Sequence, residues 1–168
     1  MIDYLRTYGQ AGTTDVFEGV TYWTDAQLEN ICDNVGVWET VRFDYFSPLI
    51  YKTTKPKFYY LDVPPPQPKE FVITLPDGST QTIEAHYRNS RGIIEPDHPL
   101  TVEYFTFDAF VVNMYEALAM LWDTKASQRA PYVSIDGGNN KMNLAQEYDH
   151  CITMRDYYRR KFVKRWER

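Results

Sequence analysis

The apolar pattern of this chain changes period twice, and that change limits the available folds more than any single motif. Between Val41 and Phe107 the segments VRFDYF, FYYLDV, FVITL, TQTIEAHYR and LTVEYFTF are rich in β-branched and aromatic residues that partly alternate with polar ones. That is the two-residue period of strands. On either side the apolar residues recur at three and four, the spacing of helices. In FVITLPDGSTQTIEAHY, Pro76 presets φ, Asp77 tolerates a turn and Gly78 permits the reversal, so a hairpin is expected. VPPPQPKE, with Pro64, Pro65 and Pro66, lacks the backbone donors needed inside a sheet and is expected to be an exposed extended spacer. An SH3-type ligand is the less favoured reading of the same string.

Three helices are expected outside the β segment. TDAQLENICDNV opens with Thr24 three residues before Gln27, a capping box, and Leu28, Ile31, Cys32 and Val35 follow on one face up to Gly36, predicting a helix over 25–35. FDAFVVNMYEALAMLWDTKAS predicts a second helix capped by Asp108. Its stripe of Val111, Met114, Leu118, Leu121 and Trp122, widened by Phe110, Ala117 and Met120, is broad enough to need neighbours on more than one side. Those neighbours are other helices, the β segment or another subunit. The third helix is expected to begin at Asn143 with Gln146 at its N3 position. In it Leu144, Tyr148, Cys151, Arg155, Tyr158, Phe162 and Arg165 alternate by four and three, a seam suited to antiparallel packing on the preceding helix. Between these helices, Asp136-Gly137-Gly138-Asn139-Asn140 is a corner rather than an anion cradle, because no lysine–threonine sequel of a phosphate loop follows the glycines.

The expected fold class is therefore α+β, a small helical bundle of three main helices, the C-terminal one long, with an inserted antiparallel β lobe. Residues 1–40 form the N-terminal arm and first helix, 41–107 the lobe, and 108–168 a helical hairpin with a basic tail that makes one structural unit with 1–40. The stretch Met1 to Phe17 is either an extended arm onto a neighbouring subunit or a frayed end.

A chain of 168 residues with 43% apolar and 24% charged side chains suits one soluble globular domain. Its start has an acid and no apolar signal region, and the longest apolar-rich run, Ala109 to Trp122, is too short to span a bilayer. Cys32 and Cys151 sit at helical apolar positions and are expected to be buried thiols rather than a disulfide. The three histidines, His86, His98 and His150, fall in no metal-binding spacing. Glu95-Pro96-Asp97-His98-Pro99 sets two acids beside a histidine, but the prolines favour a rigid loop over a cation site. His150 and Cys151 are adjacent on a helix, so they diverge by about 100° and form no nucleophile–base pair. No residue set supplies both a reactive group and its activator, so neither an enzyme nor a metal or cofactor is expected.

Charge is more informative. From Arg155 to Arg168 seven Arg or Lys face two acids, a balance of +5 on a chain whose net charge is −5, so the remainder carries about −10. Cations at a helix C-terminus complement the macrodipole, but here they interleave with aromatics in RDYYRRKFVKRWER. Arg155, Tyr157, Tyr158, Arg159, Arg160, Lys161, Phe162, Lys164, Arg165 and Trp166 are the candidate partner-binding set. Phe110, Val111, Met114, Leu118, Leu121 and Trp122 are the candidate core or subunit-packing set.

The order of YWTDAQLENICDNV, a β segment, YFTFDAFVVNMYEALAMLWDTKAS, PYVSIDGGNNKMN and LAQEYDHCITMRDYYRRKF resembles the small head–tail connector proteins of tailed bacteriophages, the adaptor or head-completion group. The closest likeness runs from Tyr104 to Phe162. The resemblance implies a structural virion protein of the neck, made in the host cytoplasm, that assembles as a ring, typically of twelve copies, beneath the portal. It implies the portal protein and a stopper or tail-completion protein as partners, with genomic DNA passing through the lumen without sequence-specific binding. In that setting the basic tail reaches the portal, the lobe lies toward the ring exterior or the tail side, and deletion of Tyr157 to Arg168 spares the fold while abolishing portal binding. The rival readings are another neck or stopper component, a β-rich module that binds carbohydrate or a host surface through Tyr59, Tyr60, Tyr87 and Tyr104, and a nucleic-acid binder acting through the tail.

Overall fold

The computed structural model describes residues 1–12, 16–17, 20–53, 59–61, 69–88, 92–133 and 138–163. They form two units, one of residues Met1–Val35 with Asn113–Arg168, the other of Gly36–Val112.

The first unit is helical. Helix α1 (Ile2–Gly9) replaces the expected arm or frayed end, and Gln10 closes it in the left-handed conformation with φ 50°. A two-stranded ribbon of β1 (Val16–Phe17) and β2 (Val20–Thr21) follows. Helix α2 (Asp25–Val35) begins and ends where its capping pattern predicts. The Thr24 N–H donates to Gln27 Oε1 at 2.9 Å and the Gln27 N–H donates to Thr24 Oγ1 at 3.4 Å, the reciprocal bonds of a capping box. Helix α3 (Met114–Val133) and helix α4 (Gly138–Val163) run antiparallel, since Tyr115 stacks on Tyr158, Trp122 meets His150 and Arg129 pairs with Glu147. Their buried faces, with Leu5 of α1 and Leu28, Ile31 and Cys32 of α2, make one core around Leu118, Leu121 and Trp122.

The second unit is a closed antiparallel barrel of six strands: β3 (Val37–Ser47), β4 (Ile50–Thr53), β8 (Ile93–Pro96), β7 (Thr80–Arg88), β6 (Lys69–Thr74) and β9 (Tyr104–Asn113), with β9 returning to β3. A further strand, β5 (Tyr59–Leu61), lies beside β9 outside this ring. The long seam pairs β3 with β9 from Val37↔Val111 to Asp44↔Tyr104, and a single pair, Thr74↔Thr106, closes β6 onto β9. Closure leaves the six strands no open edge. The β6–β7 turn is the one expected: Gly78 has φ 83°, the Leu75 N–H donates to Ser79 O, and Asp77 Oδ1 accepts from the Ser79 N–H and Oγ–H. Alternate residues point inward and fill the barrel, as expected for so few strands. Phe43 lies between Phe105 and Phe107, with ring centroids at 5.7 and 5.3 Å, and meets Tyr87 edge-on.

This architecture corrects the expected one. The described residues form four helices and a closed barrel, not a bundle of three main helices carrying an inserted lobe. Strands β4 and β8, of four residues each, supply the closure and are too short to show a period. Glu95 and Pro96, assigned to a rigid loop, belong to β8, where Pro96 pairs with Ala85. Asp108 to Asn113, assigned to the second helix, completes β9. Asp108 accepts a hydrogen bond from Thr40 Oγ1 at 2.6 Å across the seam instead of capping a helix. The cap of α3 is Asn113, whose Oδ1 accepts from the N–H groups of Tyr115 at 3.0 Å and Glu116 at 3.5 Å. Helix α4 starts at Gly138, five residues before Asn143, so Gly138, Asn139 and Asn140 are helical and not part of the expected corner, whose Asp136 and Gly137 lie outside the described residues. The proline spacer at 64–66 also lies outside them.

Candidate interaction surface on the last helix

Within the helical unit α4 is held by one face and exposes another. Tyr158 is 6% exposed, its hydroxyl donates to Tyr8 O at 3.4 Å, and its ring stacks on Tyr115. Burial pushes its phenol above the ordinary tyrosine range. Arg155 is spoken for as well: its guanidinium reaches Asp156 at 2.9 Å and Asp123 of α3 at 3.1 Å. The hydrogen bond from Arg155 holds the Asp156 carboxyl below the usual carboxylate range. Arg155 and Tyr158 are thus the fastening of the helix rather than its free surface.

The outward face carries Tyr157, 46% exposed, with Arg159, Arg160 and Lys161. Arg159 lies 3.8 Å from Asp123. The Lys161 ammonium sits 4.5 Å from the Tyr157 ring centroid and 5.7 Å from that of Tyr115, a cation–π arrangement that keeps a charged head on an aromatic surface. Hydrogen bonding with Tyr157 raises its pKa above the ordinary lysine value. Thr153, Tyr157, Arg160 and Lys161 line a hollow of about 440 Å³. Of the rest of the partner-binding set, Lys164, Arg165 and Trp166 fall outside the described residues, as does the side chain of Phe162.

The packing set divides between the two units. Met114, Leu118, Leu121 and Trp122 are buried among the helices, while Val111 is buried in the barrel and Phe110 stands on its outer face against Trp38, ring centroids 5.8 Å apart. The tyrosines of the carbohydrate reading are placed differently from one another where they are described. Tyr87 points into the barrel, Tyr104 carries the Arg42 guanidinium 3.8 Å over its ring, and the side chains of Tyr59 and Tyr60 lie outside the described residues.

Several features escaped the sequence. Trp38, 74% exposed, and the β3–β4 tip with Tyr45, Phe46 and Leu49 put large apolar groups in water. For Trp38 and Phe46 the signal was only their parity on strand β3, opposite to that of the inward Val41 and Phe43; Tyr45 shares the inward parity and is turned out beside a register shift before Ser47. Lys125, at an apolar-looking place in α3, is buried: its Nζ donates to Gly9 O at 2.8 Å and Gln10 O at 2.7 Å and lies 4.7 Å from the Trp122 ring centroid.

Among the described residues no three His, Cys, Asp or Glu side chains gather in a metal-binding arrangement. His86 Nε2 approaches Asp97 Oδ1 at 3.9 Å on the barrel surface, and His150 meets Trp122 edge-on. Cys32 and Cys151 are buried thiols, and burial raises the Cys151 pKa, which keeps the thiol protonated. No described helix is long and apolar enough to cross a membrane.

Tyr4 is the most perturbed phenol, pushed up to about 12 by burial and by the neighbouring Tyr115, Tyr8 and Tyr158. A folded pKa above the unfolded one means the unfolded chain gives up its proton first. The contribution is fully present below the unfolded pKa of about 10 and is lost as pH rises toward 12. The melting temperature is therefore expected to fall steadily above about pH 10, and Tyr4→Phe should flatten that fall in a parallel series of melts.

No family model matches the chain, and no curated protein or solved structure matches it.

Proposed function

We propose that this chain is a structural assembly subunit, a head–tail adaptor of a tailed bacteriophage that rings the DNA exit channel beneath the portal and carries the stopper or tail-completion protein. The supporting observation is the division of labour on α4. Arg155 and Tyr158 fasten the helix to α3 and α1, so that Tyr157, Arg159, Arg160 and Lys161 project from a rigid support and lead into the basic residues Lys164, Arg165 and Arg168. A fixed basic and aromatic surface suits docking by many identical weak contacts, where avidity replaces a strong single interface. In this function the terminal residues beyond Val163 meet the portal, and the acidic balance of the rest of the chain keeps a DNA conduit from holding its cargo.

The burial of Tyr158 changes the expected effect of truncation. Deleting Tyr157 to Arg168 removes a buried ring and should destabilise the helical unit by about 3–5 kcal/mol, the usual cost of losing a large buried aromatic. Ending the chain after Val163 should leave the melting temperature unchanged and weaken portal binding at least about tenfold, the effect of losing about 1.4 kcal/mol. Native mass spectrometry of the full chain with portal rings from the same genome checks both. A saturating ring of about twelve copies, the closed symmetry such an assembly needs, is the expected result. A full-length protein that ignores the portal would overturn the proposal.

A further inference from the structure

The opposite charge to the α4 surface is found on another helix of the same unit. Asp25, Glu29 and Asp33 recur every fourth residue along α2, all exposed, and α2 contains no basic residue. Asp25 is taken by Arg6. Among the described residues Glu29 and Asp33 have no ion-pair partner, and neither Arg160 nor Lys161 pairs with a carboxylate. Arg160 lies in the field of Asp156 and Lys161 rests against the exposed Tyr157 ring, so among the described residues both border the hollow of about 440 Å³ without a carboxylate in ion-pair contact, as Glu29 and Asp33 stand on α2 without a cation.

The geometry points to a second copy of this chain as the occupant of the α4 face, with Glu29 and Asp33 of α2 in one copy set against Arg160 and Lys161 of α4 in the next. The basic face cannot pair with itself, so α4 of one copy meets α2 of the other, and each copy offers both halves; the ring proposed above takes the head-to-tail form of this contact rather than the reciprocal two-fold one. Repetition of such a contact yields a ring or an open chain, depending on whether the rotation closes. The pairing stands on the charge pattern and deepens the ring proposed above, to which it supplies the contact between neighbours; the portal is left to the residues beyond Val163. Exposed ion pairs contribute only about 0.2–1 kcal/mol each, so the contact is weak for two copies and gains strength by repetition.

Charge exchange tests it without a portal. The full chain is studied by sedimentation velocity at up to about 1 mM, where a millimolar contact is visible. Wild type should self-associate in low salt and lose this in high salt, where screening shortens the reach of surface charge to about 3 Å. E29K/D33K and R160E/K161E should each stay monomeric, because one has two basic faces and the other two acidic ones. Mixed in equal amounts they should associate again, each supplying what the other lacks. The neutral variants E29Q/D33N and R160Q/K161Q should remain monomeric alone and mixed, and circular dichroism melts matching wild type establish that all four fold. A wild type that is monomeric throughout, or a charge-reversed mixture that fails to associate, overturns the pairing. So does salt-dependent binding of a DNA duplex that R160E/K161E abolishes while wild type stays monomeric, since the basic face would then take nucleic acid. A chain that self-associates by this rule but ignores the portal would keep the pairing and sink the adaptor function.

Discussion

Lys125→Met is expected to cost the helical unit about 3 kcal/mol, the lower end for losing two hydrogen bonds to a charged donor. Lys125 lies in the middle of α3 and is 6% exposed, yet its Nζ ends on the carbonyls of Gly9 and Gln10. Those carbonyls belong to the C-terminus of α1, where a helix has acceptors without partners and a partial negative charge. The ammonium answers both at once. Methionine keeps the apolar stem and removes the charge, so the loss measures the capping bonds and not the packing. For a unit of this size the melting temperature should fall by roughly 12–24 °C. Hydrogen exchange read by peptide should place the first loss of protection in α1. The close seat of that helix depends on Gly9 too, because a Cβ there would strike Leu121 Cδ2. A variant that melts like wild type would mean that α1 does not depend on the lysine for its place.

What was legible in the sequence follows how locally each signal is encoded. Helix α2 carries its whole specification within twelve residues, from the capping box at Thr24 and Gln27 to the apolar face ending at Val35, and it was legible to the residue. The β6–β7 turn was equally plain, because Pro76, Asp77 and Gly78 act on their own backbone. The barrel was not legible. Its closure depends on the pairing of β4 with β8 and on the β3–β9 seam, both between strands far apart in the chain. Asp108 to Asn113 was misassigned because an apolar strand running directly into an apolar helix presents little polar break, and Asn113, the residue that marks the change, looks like an ordinary interruption. At the surface, the basic composition of α4 was visible, but a charge run does not reveal that Arg155 and Tyr158 turn inward while Arg160 and Lys161 turn out. The acidic stripe on α2 was readable from its spacing, whereas the exposure of Arg160 and Lys161 on one face of α4 in the same unit was not.

Phe43→Ala should be as damaging to the barrel as Lys125→Met is to the helices. Phe43 is fully buried between Phe105 and Phe107, at interplanar angles of 11° and 16°, with Tyr87 closing the stack at its edge. These four rings come from β3, β9 and β7, strands on different parts of the ring, so the stack holds the cylinder across its interior and not merely along one seam. Removing the central ring loses its transfer free energy and leaves a cavity whose walls, held by the backbone ladder, collapse little; about 3–5 kcal/mol is expected. Phe46 provides the comparison, since it lies three residues further along the same strand and is 67% exposed. Phe46→Ala should change stability by no more than about 0.5 kcal/mol. Denaturant unfolding followed by near-ultraviolet circular dichroism measures both. Equal costs for the two substitutions would show that the barrel is not built around this stack, whereas the expected difference would establish that its closure rests on a filled aromatic interior.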